Sequence, residues 1–229
     1  MCNNNSMISV AIDGPAGAGK SSISRIAAKR LGFIYVDTGA LYRAVGLKFS
    51  LSGADTSLNC DIDGILADTA VDIRFKDGEQ RVYLDGRDVS DEIRTPAASM
   101  MASAVSARPQ VRAFLLEMQR RLARENNVVM DGRDIGTVVL PDAKVKIYLT
   151  ASAEVRAERR LKELLEKGES VTFKEVYDDM VKRDYDDMHR EIAPLKQAED
   201  AVLADTTDCN LEESVELILK IVNEKRVQN

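Results

Sequence analysis

Between an apolar run, Met7-Ile8-Ser9-Val10-Ala11-Ile12, and a segment of helical spacing, Ser21 to Leu31, lies Gly14-Pro15-Ala16-Gly17-Ala18-Gly19-Lys20-Ser21. It matches G-x-x-x-x-G-K-[ST] at every fixed position, in the strand-loop-helix setting that gives this pattern its meaning. The glycines allow backbone angles and close approaches that side chains forbid, so successive N–H groups can converge on one anion. The helix starting near Ser21 adds about half a unit of positive charge at its N-terminus. This loop predicts a cradle for the phosphates of ATP formed by residues Gly14 to Ser21 and Ser22. Lys20 would reach the β- and γ-phosphates, and the Ser21 hydroxyl would join a magnesium shell.

The remaining apolar runs follow the same rhythm. Phe33-Ile34-Tyr35-Val36, Val128-Val129-Met130, Val145 to Leu149 and Ala201 to Ala204 read as strands separated by helical segments. Such alternation predicts an α/β fold with a parallel sheet covered on both faces. Thr38 is placed to cap the helix after the second strand. Val71 to Val89 breaks the rhythm: Val71, Ile73 and Phe75 alternate with polar residues, and Asp77-Gly78 and Asp85-Gly86 are hairpin signals. This predicts a small antiparallel insert on or beside the main sheet. From Pro109 a helix presents Val111, Phe114, Leu115, Met118 and Leu122 on one face, with Arg112 off the stripe and available for other work. Two charged helices follow, Ser152 to Lys167 and Thr172 to about Arg190. The second opens on a Thr172/Glu175 capping box with a Val171/Val176 staple. Asn210 and Glu213 cap the last helix.

Composition narrows the chemistry. A formal charge of -6 argues against general affinity for nucleic acid. One histidine, His189, excludes functions that need several, and its charged surroundings suit a helix surface. Cys2, Cys60 and Cys209 indicate neither a disulfide framework nor a zinc site and fit a reducing compartment, hence a cytoplasmic protein. No apolar run has the roughly 18 residues of a membrane helix. Residues 1–6 read as a loose tail with no secretion-signal character.

An N-K-x-D guanine reader is lacking, as is a complete L-S-G-G-Q signature. Instead, polar segments follow the strands: Asp37-Thr38-Gly39-Ala40-Leu41-Tyr42-Arg43 and Asp131-Gly132-Arg133-Asp134. Ligands of open parallel sheets bind at the carboxyl ends of the strands, so both segments should face the glycine-rich loop. Arg183, Asp187 and Arg190, at i, i+4 and i+7, share a helix face.

These segments together, D-G-P-A-G-A-G-K-S, D-T-G-A-L-Y-R, D-G-R-D-x-G-T-V-V and K-R-D-x-x-D-x-x-R, with D-V-S-x-E-I-R in the insert, resemble bacterial cytidylate kinases from Ile8 to the C-terminal helix. The resemblance implies a P-loop kinase with a five-stranded parallel sheet flanked by helices, a small antiparallel nucleotide-acceptor insert and a helical lid. It divides the single domain 7–229 into a core (7–60, 108–150 and 191–229), an insert of about 61–107 and a lid of about 151–190. It implies transfer of the ATP γ-phosphoryl group to CMP or dCMP, with Mg2+, by a monomer. Arg43, Arg133 and Arg190 would hold the acceptor phosphate, and Ser103, Arg112 and Asp134 would read the cytosine edge. Arg183 and Asp187 would hold the sugar hydroxyls. Thr38, where relatives often carry Ser, would line the acceptor pocket with Tyr42. Asp131 would orient its neighbours or water around magnesium, and Arg159, with Arg156 and Arg160, belongs to the lid near ATP. The rival acceptors are UMP, AMP or shikimate. A nucleotide-binding regulatory module without turnover is the rival of another class.

Overall fold

Parallel neighbours need crossover connections, and helices in those crossovers cover both faces of the sheet. The computed structural model, which describes residues 7–76, 78–166 and 168–227, is built this way. The chain begins β1 (Ser9–Asp13), α1 (Lys20–Leu31), β2 (Ile34–Asp37), α2 (Thr38–Leu51) and α3 (Ile62–Ala67). It continues through β3 (Val71–Lys76), β4 (Glu79–Leu84), β5 (Arg87–Asp88), α4 (Pro96–Ser106) and α5 (Pro109–Glu125). Then come β6 (Val128–Gly132), a π-helical turn (Ile135–Val139), β7 (Val145–Thr150), α6 (Ala153–Glu166), α7 (Phe173–His189), β8 (Val202–Asp205) and α8 (Leu211–Val227).

The main sheet has the strand order β2-β6-β1-β7-β8, every pair parallel. On one face Val10, Ile12, Val145 and Ile147 pack with Ile23 and Ala27 of α1 and Ile218 and Val222 of α8. On the other, Ala11, Val36, Val128 and Met130 meet Ala123 of α5 and Ile135 and Val139 of the π-helical turn. Alternate residues of β1 thus enter different clusters, both dry, as a sheet covered on both faces requires. Register then sets the site: Asp13 is level with Gly132, and Asp37 with Asp131. Three strand-terminal carboxylates therefore gather at one rim.

The insert is an antiparallel β3-β4-β5 sheet, as expected. Asp85 (φ 50°) and Gly86 (φ 81°) turn β4 into β5 with both central residues at positive φ, as an Asp-Gly hairpin requires. Asp77 of the other predicted turn, Lys167 at the end of the first charged helix and the tail 1–6 lie outside the described residues. Val82 and Leu84 join Leu41, Phe49 and Leu115 in a third cluster, which fastens the insert to α2 and α5. The Thr172/Glu175 capping box is formed, with Val171 and Val176 in one cluster, and Asn210 and Glu213 exchange cap bonds before α8.

Three local expectations need correction. The cap of α2 is Asp37, whose carboxylate accepts from Ala40 N, while the Thr38 hydroxyl donates to the Asp131 carbonyl. Arg112 is not free beside the α5 stripe but buried, drawn inward by Asp134. Arg190 is the C-cap residue of α7 rather than part of its helical face.

Candidate active site

The glycine-rich loop is rooted in the sheet. At Gly14 (φ 152°) a side chain would put its Cβ 1.9 Å from the Leu149 carbonyl oxygen of β7. Gly19 (φ 82°) is the N-cap of α1 in the left-handed region, where β-carbons are disfavoured. Lys20 opens the helix buried, its Nζ donating to the Gly14 and Pro15 carbonyls at 2.7 Å each. The lysine thus closes the loop into a ring. Burial, and next the nearby Arg133, push its pKa well below the ordinary value.

Facing the loop is the carboxylate rim. Asp131 accepts from Ser21 Oγ at 2.9 Å and from the Tyr35 hydroxyl at 3.0 Å. Burial, reinforced by the neighbouring Asp37, raises its pKa to about 7. Asp13 accepts from Ile135 N and Gly136 N at 2.7 Å each, so it fixes the turn that follows Arg133 and Asp134. Burial raises the Asp13 pKa to about 6 despite those two bonds. Asp37 pairs with Arg43 at 2.9 Å, and Arg43 Nε is buried with no hydrogen-bond partner among the described residues.

The remaining groups close the site from the other side. Arg133 pairs with Asp187 of α7 at 2.7 Å. Asp134 is shared between Arg112 and Arg190. Arg112 lies over the Tyr42 ring, 5.7 Å from its centroid. Arg183 makes no ion pair among the described residues, and burial with the neighbouring Arg133 lowers its pKa. A cavity of about 370 Å³ opens between Ser103 and Ser106 of α4 and Asp187 and Arg190. Its outer wall is Tyr185 with His189, whose rings stack at a centroid distance of 4.0 Å. Arg112, Asp134, Arg190, Asp187 and Arg133 thus lie along one chain of ion pairs, while Arg43 pairs separately with Asp37.

The three arginines of α6 assigned to the lid are held in different ways. Arg156 is buried against the loop, donating to Ala16 O at 2.7 Å. Arg159 donates to the Thr206 and Cys209 carbonyls after β8, at 2.6 and 3.1 Å. Arg160 pairs with Glu163 near the surface. Asp13, Tyr35, Gln80 and Asp184 also belong to the site, although sequence reasoning gave them no role. The acidic ends of β1 and of the K-R-D segment were the available signals for two of them.

The chain matches one family model, described as cytidylate kinase, over residues 10–224. The chain belongs to the cytidylate kinase family. A cytidylate kinase of Caldicellulosiruptor bescii is 50% identical over 214 residues, covering 93% of this chain and 95% of that protein. A cytidylate kinase of Carboxydothermus hydrogenoformans is 51% identical over 216 residues, with 94% and 97% covered. Among solved structures, an uncharacterized protein of Eubacterium ventriosum aligns with a TM-score of 0.53 at 11% identity, covering 95% of this chain and 99% of its own. One from Thermus thermophilus gives 0.50 at 19%, with 96% and 98% covered. These two likenesses carry the fold alone.

Proposed function

We propose that the chain transfers the γ-phosphoryl group of ATP to CMP or dCMP, releasing ADP and CDP or dCDP. The observation that carries this reading is that Arg43, Arg133 and Arg190 each pair with a carboxylate, Asp37, Asp187 and Asp134, beside the ends of β2 and β6, in a chain of the cytidylate kinase family.

The chemistry follows from the charges. A phosphate monoester with a second pKa of about 6 is largely dianionic at neutral pH. Its oxygen attacks the γ-phosphorus directly while the bond to the β,γ-bridging oxygen breaks and ADP leaves. No general base is needed, in keeping with a rim of carboxylates and guanidiniums. The obstacle is repulsion between two anions, and positioned cations answer it. In this reading Gly14 to Ser22 hold the donor phosphates, with Lys20 turning from the loop carbonyls toward the β- and γ-oxygens, and Arg159 serves the ATP side. Arg43, Arg133 and Arg190 exchange their carboxylate partners for the acceptor phosphate. Arg183 and Asp187 take the sugar, and Ser103, Arg112 and Asp134 take the base edge beside Thr38 and Tyr42.

The Ser21 hydroxyl and the Asp131 carboxylate, 2.9 Å apart, are a pair of hard oxygen donors suited to Mg2+. Bound there with ATP, the ion would neutralise charge on the donor phosphates. The segments 61–107 and 151–190 act as acceptor insert and lid, shutting water out. No helix among the described residues is long and apolar enough to cross a membrane. We take the enzyme to work as a cytoplasmic monomer on small molecules.

A coupled ADP-release assay across CMP, dCMP, UMP, AMP and shikimate tests the assignment. Turnover should be fastest with CMP and dCMP. Preference for another acceptor, or ATP-dependent thermal stabilisation with no product, would overturn it.

A further inference from the structure

We propose that Asp184 is a positioning residue for the reaction, holding the donor loop in register with the lid through the backbone of Ala16. The inference rests on reading Gly14 to Ser22 as the donor loop.

Ala16 lies at the bend of that loop, and a single ion pair captures both its polar groups. Its N–H donates to Asp184 Oδ1 at 2.8 Å, and its carbonyl accepts from Arg156 Nη1 at 2.7 Å. The same Arg156 nitrogen lies 2.5 Å from Asp184 Oδ2, which closes the triangle. Asp184 comes from α7 and Arg156 from α6, so two lid helices and the loop meet at one residue. Arg156 is itself anchored, its Nε donating to the Ala151 carbonyl at 2.9 Å. Both charged side chains are at least nine-tenths buried, at 7% exposure each.

A buried ion pair is a weak source of stability, because desolvation offsets the Coulomb gain. Its placement gives it a different value. Next to Ala16, a Cβ at Gly17 would meet Met180 Cε of α7 at 2.9 Å, so this helix roofs the loop. One turn beyond Asp184, Asp187 holds Arg133 on the acceptor rim. Helix α7 therefore touches the donor loop with one carboxylate and the acceptor rim with the next. Displacing Asp184 frees the loop amides to rotate out of convergence while leaving the acceptor contacts of Asp187 in place.

The test is ADP and CMP binding by calorimetry, with steady-state kinetics, on Asp184→Ala, Asp184→Asn and Arg156→Lys. A hydrogen bond to a charged group is worth about tenfold to a hundredfold in affinity. Asp184→Ala should weaken ADP binding and raise the KM for ATP by that factor, with the KM for CMP changed by less than about twofold. Asp184→Asn, which keeps an oxygen for the Ala16 N–H, should recover part of the ADP affinity. Arg156→Lys keeps the charge but loses the Nε bond to the Ala151 carbonyl that aims Nη1 at the Ala16 carbonyl, and should weaken ADP binding too. If Asp184→Ala does not fold, these two milder variants decide the question. Wild-type ADP affinity in the folded variants, or equal losses for ADP and CMP, would overturn the proposal. Failure of the wild-type chain to bind ADP would instead remove the donor-loop reading, and this proposal with it.

Discussion

Lys20 is bound to the carbonyls of its own loop, so its ammonium is already sited within reach of an anion lying in the ring it closes. Lys20→Ala should lower kcat by roughly 10³-fold or more, as loss of a cation at a transferring phosphoryl group does, with the circular dichroism spectrum unchanged. Asp134 carries a different load, since it neutralises two buried or half-buried guanidiniums. Asp134→Ala should cost about 3 kcal/mol in urea unfolding through the orphaned Arg112, and should erode CMP over UMP selectivity. Asp13 supplies a pH signature. Its folded pKa of about 6 lies above the ordinary 3.8, so the folded state holds the extra proton between these values. Its stabilisation is full below the ordinary value and is lost as pH rises through about 6, on the order of 3 kcal/mol in all. Unfolding at several pH values should show that decline, and Asp13→Asn should make it shallower while leaving the part that Asp131, raised to about 7, contributes with the same sign. Lys20, Arg43 and Arg133 could be found in the sequence because they sit in or beside recognisable segments. Asp13 and Asp184 could not be given roles, because their partners are 122 and 168 residues away.

At the scale of elements, the insert acts on the rim through one side chain. Gln80 of β4 accepts from Asp37 N at 2.8 Å and donates to Asp37 O at 3.2 Å, copying a strand pairing at the open edge of β2. The residue so clamped caps α2 and holds Arg43. Gln80→Ala should therefore raise the KM for CMP several-fold, in the range of one or two net hydrogen bonds, and leave the KM for ATP unchanged. Gln80→Glu, which cannot donate to the carbonyl, should fall between. The elements themselves were mostly legible, since strands with both faces buried, capping boxes and Asp-Gly turns each leave a local pattern. The cap of α2 misled because Asp37 and Thr38 are both good capping residues, and only the sheet register shows the Thr38 hydroxyl drawn to Asp131. The π-helical turn after Asp134 has no local signal. It forms where the Ile135 and Gly136 amides turn back to Asp13.

Taken as a whole, the molecule brings the glycine-rich loop, Gln80 of β4 and Asp184 and Asp187 of α7 toward the ends of its central strands, and two ligands bound there together should stabilise it more than either alone. ADP and CMP together, at about 100 times Kd, should each contribute about 2.7 kcal/mol of linkage. For a chain of this size each such contribution raises Tm by about 5–10 °C, readable by scanning calorimetry. A pair of ligands that gives no more than the larger single shift would show that they exclude each other and would contradict simultaneous occupancy. The sharing of Asp134 by Arg112 and Arg190 has a longer reach. A lineage drifting toward another pyrimidine base by way of Asp134 would have to accommodate two arginines on separate elements at once. Losing Asp134 first would strand both cations in the interior, whereas losing Arg112 or Arg190 first leaves the carboxylate one partner. If Asp134 reads the base, the passable routes between one specificity and the next are therefore those that surrender an arginine before the carboxylate.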